Sequence, residues 1–202
     1  MKRVKAMRKF VIASVIAAAC GMSFAENIDP YNDGHRYAYG ENVGWLNFQP
    51  STSGVQVYSD HVEGYVWAEN IGWINLSPTS YGGVLNDGTG TLSGYAWGEN
   101  VGWINFGPST GGVSIDDDGN FSGYAWGENI GWINFTLTSR PDSAVQACKV
   151  SLEDFANFAD DWLSSGSVPG NLDATGDVDM NDFSIFASYF MDFCPDAWPL
   201  KF

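Results

Sequence analysis

The feature that most constrains the fold is an aromatic segment that occurs four times. Its copies cover residues 37–48, 65–76, 95–106 and 124–135. Their consensus sequence is Tyr-Ala-Trp-Gly-Glu-Asn-Ile-Gly-Trp-Ile-Asn-Phe. The Asn of the Glu-Asn pair falls at positions 42, 70, 100 and 129, so the spacings are 28, 30 and 29 residues. Self-similarity at a nearly fixed period indicates a repeat architecture in which each unit packs on its neighbours.

Each copy has the pattern of a β-hairpin. In the fourth copy, residues 123–126 and 132–135 are rich in β-forming residues, and the turn between them contains Asn and Gly. A third short strand precedes the later hairpins, at 54–58, 83–85 and 112–115. We therefore predict a mainly β protein, with a four-copy antiparallel β-repeat array of about three strands per 29-residue unit. The sequence is compatible both with an array that closes into a ring and with an unclosed stack.

The repeated aromatic side chains have two interpretations. Strand alternation places Tyr124 and Trp126 on one face and Phe121 and Ala125 on the other. Neither face carries charge, so we expect both to be covered and the Tyr and Trp rings to belong to the core. The alternative is an exposed row of rings on which sugars stack.

The repeated Glu-Asn pairs are interpreted as architectural. A catalytic carboxylate pair is normally used once, whereas here Glu41, Glu69, Glu99 and Glu128 recur in every copy. We expect Glu and Asn to cap amides of turns. The sequence has two His and no Gly-x-Ser-x-Gly, HExxH or phosphate-loop motif. A non-catalytic protein is favoured, and the enzyme alternative is a hydrolase acting on O-glycosyl bonds.

Residues 1–25 have the layout of a secretory signal peptide. Five of the nine basic residues lie in the first ten positions, an apolar run follows at 10–20, and Ser23 and Ala25 precede a cleavage point. A lipid-modified Cys20 is the less favoured alternative. Without this segment 4 basic and 24 acidic residues remain, a balance that opposes nucleic acid and anionic membrane surfaces. We predict an extracellular or cell-surface protein with no stable membrane span.

The two Cys that remain, Cys148 and Cys194, predict one disulfide, because exported chains meet an oxidising environment. Two free thiols are the alternative.

From about Arg140 the sequence period becomes helical. Segments 152–164 and 182–191 each carry apolar residues at i, i+3, i+4 and i+7, namely Phe155, Phe158, Ala159 and Trp162, and then Phe183, Phe186, Ala187 and Phe190. We predict a β-repeat domain at 26–140 and a small α-helical domain at 141–202.

Twelve residues before the second helix have the spacing of a calcium-binding loop, with Gly176 at position 6 where such a chain turns sharply. The predicted ligands of Ca²⁺ are Asn171, Asp173, Thr175, Asp177, Asp179 and Asp182. The matching loop before the first helix contains Lys149 and lacks acidic residues at positions 3 and 5, so we expect it to hold no ion. A solvated acidic turn is the alternative for the second loop.

The duplicated loop-helix segment, at about 142–195, resembles a dockerin type I domain, the F-hand variant of the EF-hand. Its sequence pattern Cys-x-Val-x-Leu-x-Asp-Phe is similar to that of dockerin-like tails of secreted planctomycete-type proteins. The resemblance implies binding to a cohesin-like or other extracellular protein, through Met180, Asn181, Ser184, Leu152 and Glu153. The aromatic repeats are similar to those of uncharacterised exported bacterial proteins, which implies no activity.

These observations favour a secreted non-catalytic protein that attaches, with calcium, to an extracellular or cell-surface assembly. The first alternative is a carbohydrate-binding accessory protein of polysaccharide catabolism. The second is a glycoside hydrolase.

Overall fold

Antiparallel strands dominate the structure, which confirms the prediction of a mainly β protein. The computed structural model describes residues 27–195 and 198–201, and the predicted signal peptide at 1–25 lies outside them. The strands are β1 (Tyr37–Gly40), β2 (Gly44–Asn47), β3 (Val55–Val57), β4 (His61–Ala68), β5 (Gly72–Asn75), β6 (Val84–Asn86), β7 (Leu92–Gly98), β8 (Gly102–Asn105), β9 (Gly112–Ile115), β10 (Phe121–Gly127) and β11 (Gly131–Asn134).

Eight of these strands close into a barrel. The order is β11-β1-β2-β4-β5-β7-β8-β10, and β10 also pairs with β11, so the sheet returns to its start. The strands β3, β6 and β9 lie outside this circle and pair with β4, with β4 and β7, and with β10. Closure removes the free sheet edges that an open stack would have.

The four hairpins have the same register. Each begins with Tyr opposite Asn, as in Tyr65 opposite Asn75, and each closes through a turn between two Gly or between Ala and Gly. In the first turn the Val43 N–H donates to the Gly40 carbonyl at 3.2 Å, and Gly44 follows at φ +79°. This is a three-residue hairpin loop with a bulge, and glycine suits it because a Cβ is strained at that φ.

Apolar side chains fill the barrel interior. Each hairpin turns one cross-strand pair inward, and all of these residues are at most 2% exposed: Ala38 with Leu46, Val66 with Ile74, Ala96 with Ile104, and Ala125 with Ile133. Phe48 and Phe106 pack against Phe135 with ring centroids 5.5 and 5.8 Å apart. A cavity of about 10 Å³ among these side chains is close to what one water molecule requires. Ligands must therefore bind outside the barrel.

Two helices, α1 (Leu152–Asp160) and α2 (Met180–Tyr189), follow the barrel. Ser151 and Asp154 form a capping box at the start of α1, and Asp179 and Asp182 form the matching box of α2. The predicted span 152–164 was too long, because the chain turns after α1 and reaches φ +64° at Leu163. Neither helix, nor any other in the described part of the chain, has the length and apolar character that a membrane crossing requires.

The two loop-helix units exchange backbone hydrogen bonds. The Val150 N–H donates to the Asp192 carbonyl at 2.9 Å, and the Val178 N–H donates to the Ser164 carbonyl at 2.8 Å. Each loop thus pairs with the segment that follows the other helix. The two donors are 28 residues apart in sequence and so are the two acceptors, so the two units exchange equivalent bonds.

The predicted disulfide between Cys148 and Cys194 is confirmed, with Cα atoms 5.3 Å apart. It lies where one hydrophobic core ends and a second begins. Val145 and Ala147 belong to the barrel core, whereas Cys148, Val150 and Phe158 belong to the core of the helices. Phe193, next to Cys194, packs again with the barrel core. Core membership therefore first changes after Ala147, a few residues beyond the predicted boundary at 140.

Candidate functional site

The outer wall of the barrel is aromatic. In the second hairpin Tyr65, Trp67 and Trp73 are 43%, 36% and 39% exposed, and the Trp67 and Trp73 rings meet at 4.8 Å in an edge-to-face arrangement. The expectation that both faces of the hairpins are covered was wrong. The interior accepts Ala, Val, Leu and Ile from the strands, so alternation places the large rings outside.

The same arrangement recurs in every hairpin and forms what we call the outer aromatic belt. The belt consists of Tyr37, Tyr39, Trp45, Tyr65, Trp67, Trp73, Tyr95, Trp97, Trp103, Tyr124, Trp126 and Trp132. In each hairpin the closest ring pair is 4.7–5.0 Å apart. Soluble monomers rarely expose extensive contiguous apolar surface, and where they do it usually marks an interaction site.

The Asn residues of the Glu-Asn pairs form a closed ring of hydrogen bonds around one end of the barrel. Each side-chain Nδ2 donates to a backbone carbonyl of a neighbouring turn, over 3.0–3.1 Å: Asn42 to Ile130, Asn70 to Val43, Asn100 to Ile71, and Asn129 to Val101. These side chains are architectural, but they bind carbonyls and do not cap amides as expected. The Glu side chains beside them are exposed.

We predict that Asn70→Ala lowers the free energy of unfolding by about 0.5–1.5 kcal/mol, the usual net contribution of one hydrogen bond. The substitution removes the bond to the Val43 carbonyl and opens the ring. Urea denaturation measures the effect, and Glu69→Ala in the same turn is the control. A loss as large in the control as in Asn70→Ala would contradict the structural role of the ring.

A groove of about 450 Å³ lies on the barrel wall where the first hairpin meets the second. Its aromatic lining includes Trp45 and Trp67, and its polar lining includes Glu69 and Arg140. The guanidinium carbon of Arg140 lies 5.7 Å from the Trp45 ring centroid, within the distance of a cation–π contact. The volume falls in the range of small-molecule sites, and the mixture of rings with a few polar groups is typical of them.

Backbone N–H groups donate hydrogen bonds to carboxylates of the predicted calcium loop. The fully buried Asp182 carboxylate accepts from the N–H groups of Asp173 and Asp179, each at 2.9 Å. Burial alone would raise the pKa of Asp182, but the backbone N–H groups around the carboxylate outweigh burial and hold the pKa below its ordinary value. The Asp173 carboxylate in turn accepts from the N–H and the hydroxyl of Thr175 at 2.8 and 2.9 Å.

The loop nevertheless keeps features that suit a cation. The Oδ1 atom of Asn171 is buried and has no hydrogen-bond partner among the described residues. Gly176 turns at φ +65°, and Val178 is completely buried, as positions 6 and 8 of such a loop require. Within residues 27–195 and 198–201, one group of three acidic or His side chains has its ligand atoms within 4.8 Å of one another. This group is Asp29, Asp33 and His35, which lie outside the loop. Calcium binding therefore stays a prediction.

A lysine neutralises the corresponding carboxylate of the first loop. Asp154 stands 28 residues before Asp182, and its carboxylate lies 2.8 Å from Lys201 Nζ and accepts from Trp198 Nε1 at 2.8 Å. The ammonium group of Lys201 thus lies beside this carboxylate, where a bound cation would otherwise lie. Sequence reasoning missed Lys201, because nothing in its local pattern indicates a partner 47 residues away.

The two helices also expose an apolar groove of about 290 Å³. Its lining is Leu152, Phe155, Phe183, Phe186, Ala187 and Phe190. The predicted partner contacts Leu152, Glu153, Met180, Asn181 and Ser184 are all exposed, and Leu152 also lines this groove. Glu153 already accepts a hydrogen bond from the Tyr31 hydroxyl at 2.9 Å.

The fold is thus an eight-stranded antiparallel barrel joined to a pair of loop-helix units. No protein-family model matches the chain, and no curated protein or solved structure is significantly similar to it.

Proposed function

We propose that this chain is an exported, non-catalytic glycan-binding protein, and that the outer aromatic belt is its binding surface. The observation that supports the proposal is the exposure of repeated Trp and Tyr rings around a barrel whose interior is filled. A pyranose ring has a face of C–H groups that packs on an aromatic ring. A wall with four equivalent ring clusters suits a polymer with repeated units, because several weak contacts on one chain add up.

Charge favours a neutral polymer over other extended partners. The chain has 24 acidic and 9 basic residues and a formal charge of −15. Nucleic acids and anionic membranes are held largely by Lys and Arg, and those residues are scarce here. Uncharged polysaccharides meet no such repulsion.

The test is retention of the purified chain on insoluble cellulose, chitin and xylan, measured as protein depleted from solution. We expect retention on at least one polymer, and its loss in the triple variant Trp73→Ala, Trp103→Ala, Trp132→Ala. The matched control is Leu163→Ala with Phe190→Ala, which removes exposed apolar side chains from the helical end. No retention of the wild-type chain, or equal retention of the triple variant, would overturn the proposal. So would sedimentation showing that the wild-type chain self-associates and that the triple variant does not.

The second candidate function is attachment through the helical end, as a dockerin-like module that binds a cohesin-like or other extracellular protein. The apolar groove beside Leu152 favours it, since an exposed groove of this kind suits a docking partner. Asn171, Asp173, Thr175, Asp177, Asp179 and Asp182 would hold Ca²⁺, which would supply positive charge to the loop. In this arrangement the belt would recognise a glycan and the helices would fix the protein to an assembly that degrades polysaccharides.

Calorimetric titration of the chelator-treated chain with CaCl₂ tests the metal. We expect binding heat and a higher melting temperature, both lost in Asp173→Ala and both kept in Asp160→Ala, an exposed acid at the end of α1. Absence of heat in the wild-type chain would end the calcium proposal. It would leave the glycan proposal untouched, because the two sites share no residue.

The third function, a glycoside hydrolase, would need two carboxyl groups that flank one scissile bond. The repeated Glu side chains are instead exposed on four separate turns, at Glu41, Glu69, Glu99 and Glu128. This function therefore stays an alternative that no described arrangement favours.

A further inference from the structure

We infer that the groove between the first and second hairpins is a distinct subsite for one neutral pyranose unit of the bound glycan. The inference rests on the proposed glycan function and goes beyond it, because it makes one junction of the barrel wall different from the others. The residues that carry it are Trp45, Trp67, Glu69 and Arg140.

The junctions between hairpins share one register, so register alone would make them equivalent. The third residue of each repeat, on the first strand of its hairpin, lies opposite an Asn of the previous hairpin: Trp67 opposite Asn47, Trp97 opposite Asn75, Trp126 opposite Asn105, and Tyr39 opposite Asn134. What distinguishes the first junction is a charged wall from the chain that leaves the barrel. After β11 this chain passes the junction, where Arg140 and Ser143 line the groove. The third hairpin carries an added segment of a different kind, the uncharged ring of Tyr81, which packs against Trp103.

Local hydrogen bonds hold this extra wall in place. The short 3-10 turn Pro141–Ser143 is closed by the Ser143 N–H, which donates to the Arg140 carbonyl at 3.1 Å. Ala144, directly after the turn, forms a parallel bridge with Tyr37 of β1. The wall is therefore anchored to the barrel next to the groove, which limits the entropy lost when a ligand binds.

The groove offers both kinds of contact that a sugar needs. The rings of Trp67 and Trp45 supply aromatic surface for the C–H groups, although the Arg140 guanidinium lies over part of the Trp45 ring. The polar wall supplies one donor and one acceptor. Neither Arg140 nor Glu69 forms an ion pair with another residue of the described chain, so both can hydrogen-bond hydroxyls. Charged partners make the stronger hydrogen bonds.

The charges of the groove balance, which suits a neutral unit. One guanidinium and one carboxylate line it, so the groove itself favours neither sign of charge. The negative charge of the whole chain opposes a uronic acid. An uncharged hexose, pentose or N-acetyl sugar needs no counter-charge and can use Arg140 as a donor and Glu69 as an acceptor.

Depletion isotherms test the subsite, on whichever of cellulose, chitin or xylan retains the wild-type chain. We expect Arg140→Ala and Trp67→Ala each to weaken binding by about tenfold, as loss of a charged hydrogen bond or a stacked ring predicts. Trp97→Ala is the matched control, since Trp97 has the same register at the next junction without the Arg140 wall. Its binding should weaken by less than about threefold, or roughly half of that free energy.

The results separate the subsite from the proposed function. Equal weakening by Trp67→Ala and Trp97→Ala, with Arg140→Ala unchanged, would overturn the subsite and leave the belt as a uniform surface. Stronger binding to polygalacturonate than to the neutral polymers would overturn the neutral specificity. No binding of the wild-type chain to any polymer would defeat the proposed function itself. Circular dichroism of each variant shows whether the barrel is intact.

Discussion

Phe135→Ala is expected to lower the free energy of unfolding by about 3–5 kcal/mol, the usual loss when a large core aromatic is truncated. Phe135 follows β11 directly, is 1% exposed, and packs against the rings of Phe48, Phe106 and Phe121. These four rings fill one end of the barrel. Removing one of them leaves a cavity that the closed sheet cannot easily collapse to fill.

Trp132→Ala is the matched control, because Trp132 lies three residues earlier and faces outward. It loses mainly its edge-to-face contact with Trp126, worth about 0.5–1.5 kcal/mol. Guanidinium denaturation followed by tryptophan fluorescence measures both variants. If Trp132→Ala were as destabilising as Phe135→Ala, the assignment of inner and outer faces would be wrong.

Removal of the disulfide, by Cys148→Ala with Cys194→Ala, is expected to cost about 4 kcal/mol in the chain-entropy treatment of a loop of this length. The bond joins residues 46 positions apart and encloses both helices. Because the helices have a core separate from that of the barrel, we expect the loss to fall on the helical end.

Thermal melts followed by circular dichroism at two wavelengths distinguish destabilisation of the helical end alone from destabilisation of the whole protein. The helical signal in the far ultraviolet should melt at a lower temperature in the double variant, while the near-ultraviolet signal of the belt should keep its wild-type transition. A common downward shift of both transitions would instead show that barrel and helices unfold together.

The hairpins could be predicted from sequence because their signals are local. Strand alternation and the Gly and Asn of the turns act over a few residues, and the structure places the turns where they were predicted. Closure could not be predicted, since it depends on pairing of Tyr39 with Asn134 across nearly the whole array. No local pattern encodes a contact over that separation.

The orientation of the faces was predicted wrongly for a related reason. Both faces of a hairpin are free of charge, so hydrophobicity does not tell inside from outside. The interior volume decides, and an eight-stranded barrel is only just wide enough for side chains to fill. Ala125 and its equivalents fit that space, whereas Trp126 does not.

At the helical end the disulfide predicted from the sequence is confirmed, whereas calcium binding by the loop stays a prediction. The sequence did not reveal what the loop carboxylates contact. The hydrogen bonds of Asp182 to the loop backbone depend on how the chain wraps. Lys201 and Arg140 were missed as site residues because each acts on groups distant in sequence.

The asparagine ring has a consequence for how such a protein can evolve. An open solenoid grows or shrinks by tandem duplication, because its ends accept another unit. Here the last hairpin bonds to the first through Asn42 and Ile130, so insertion of a fifth unit would widen the circle to ten strands, and the diameter of a barrel grows with strand number. Alanines sized for the present interior would then leave it hollow. Copy number is therefore held fixed by geometry, and divergence among units is confined to the outer wall and the connecting segments.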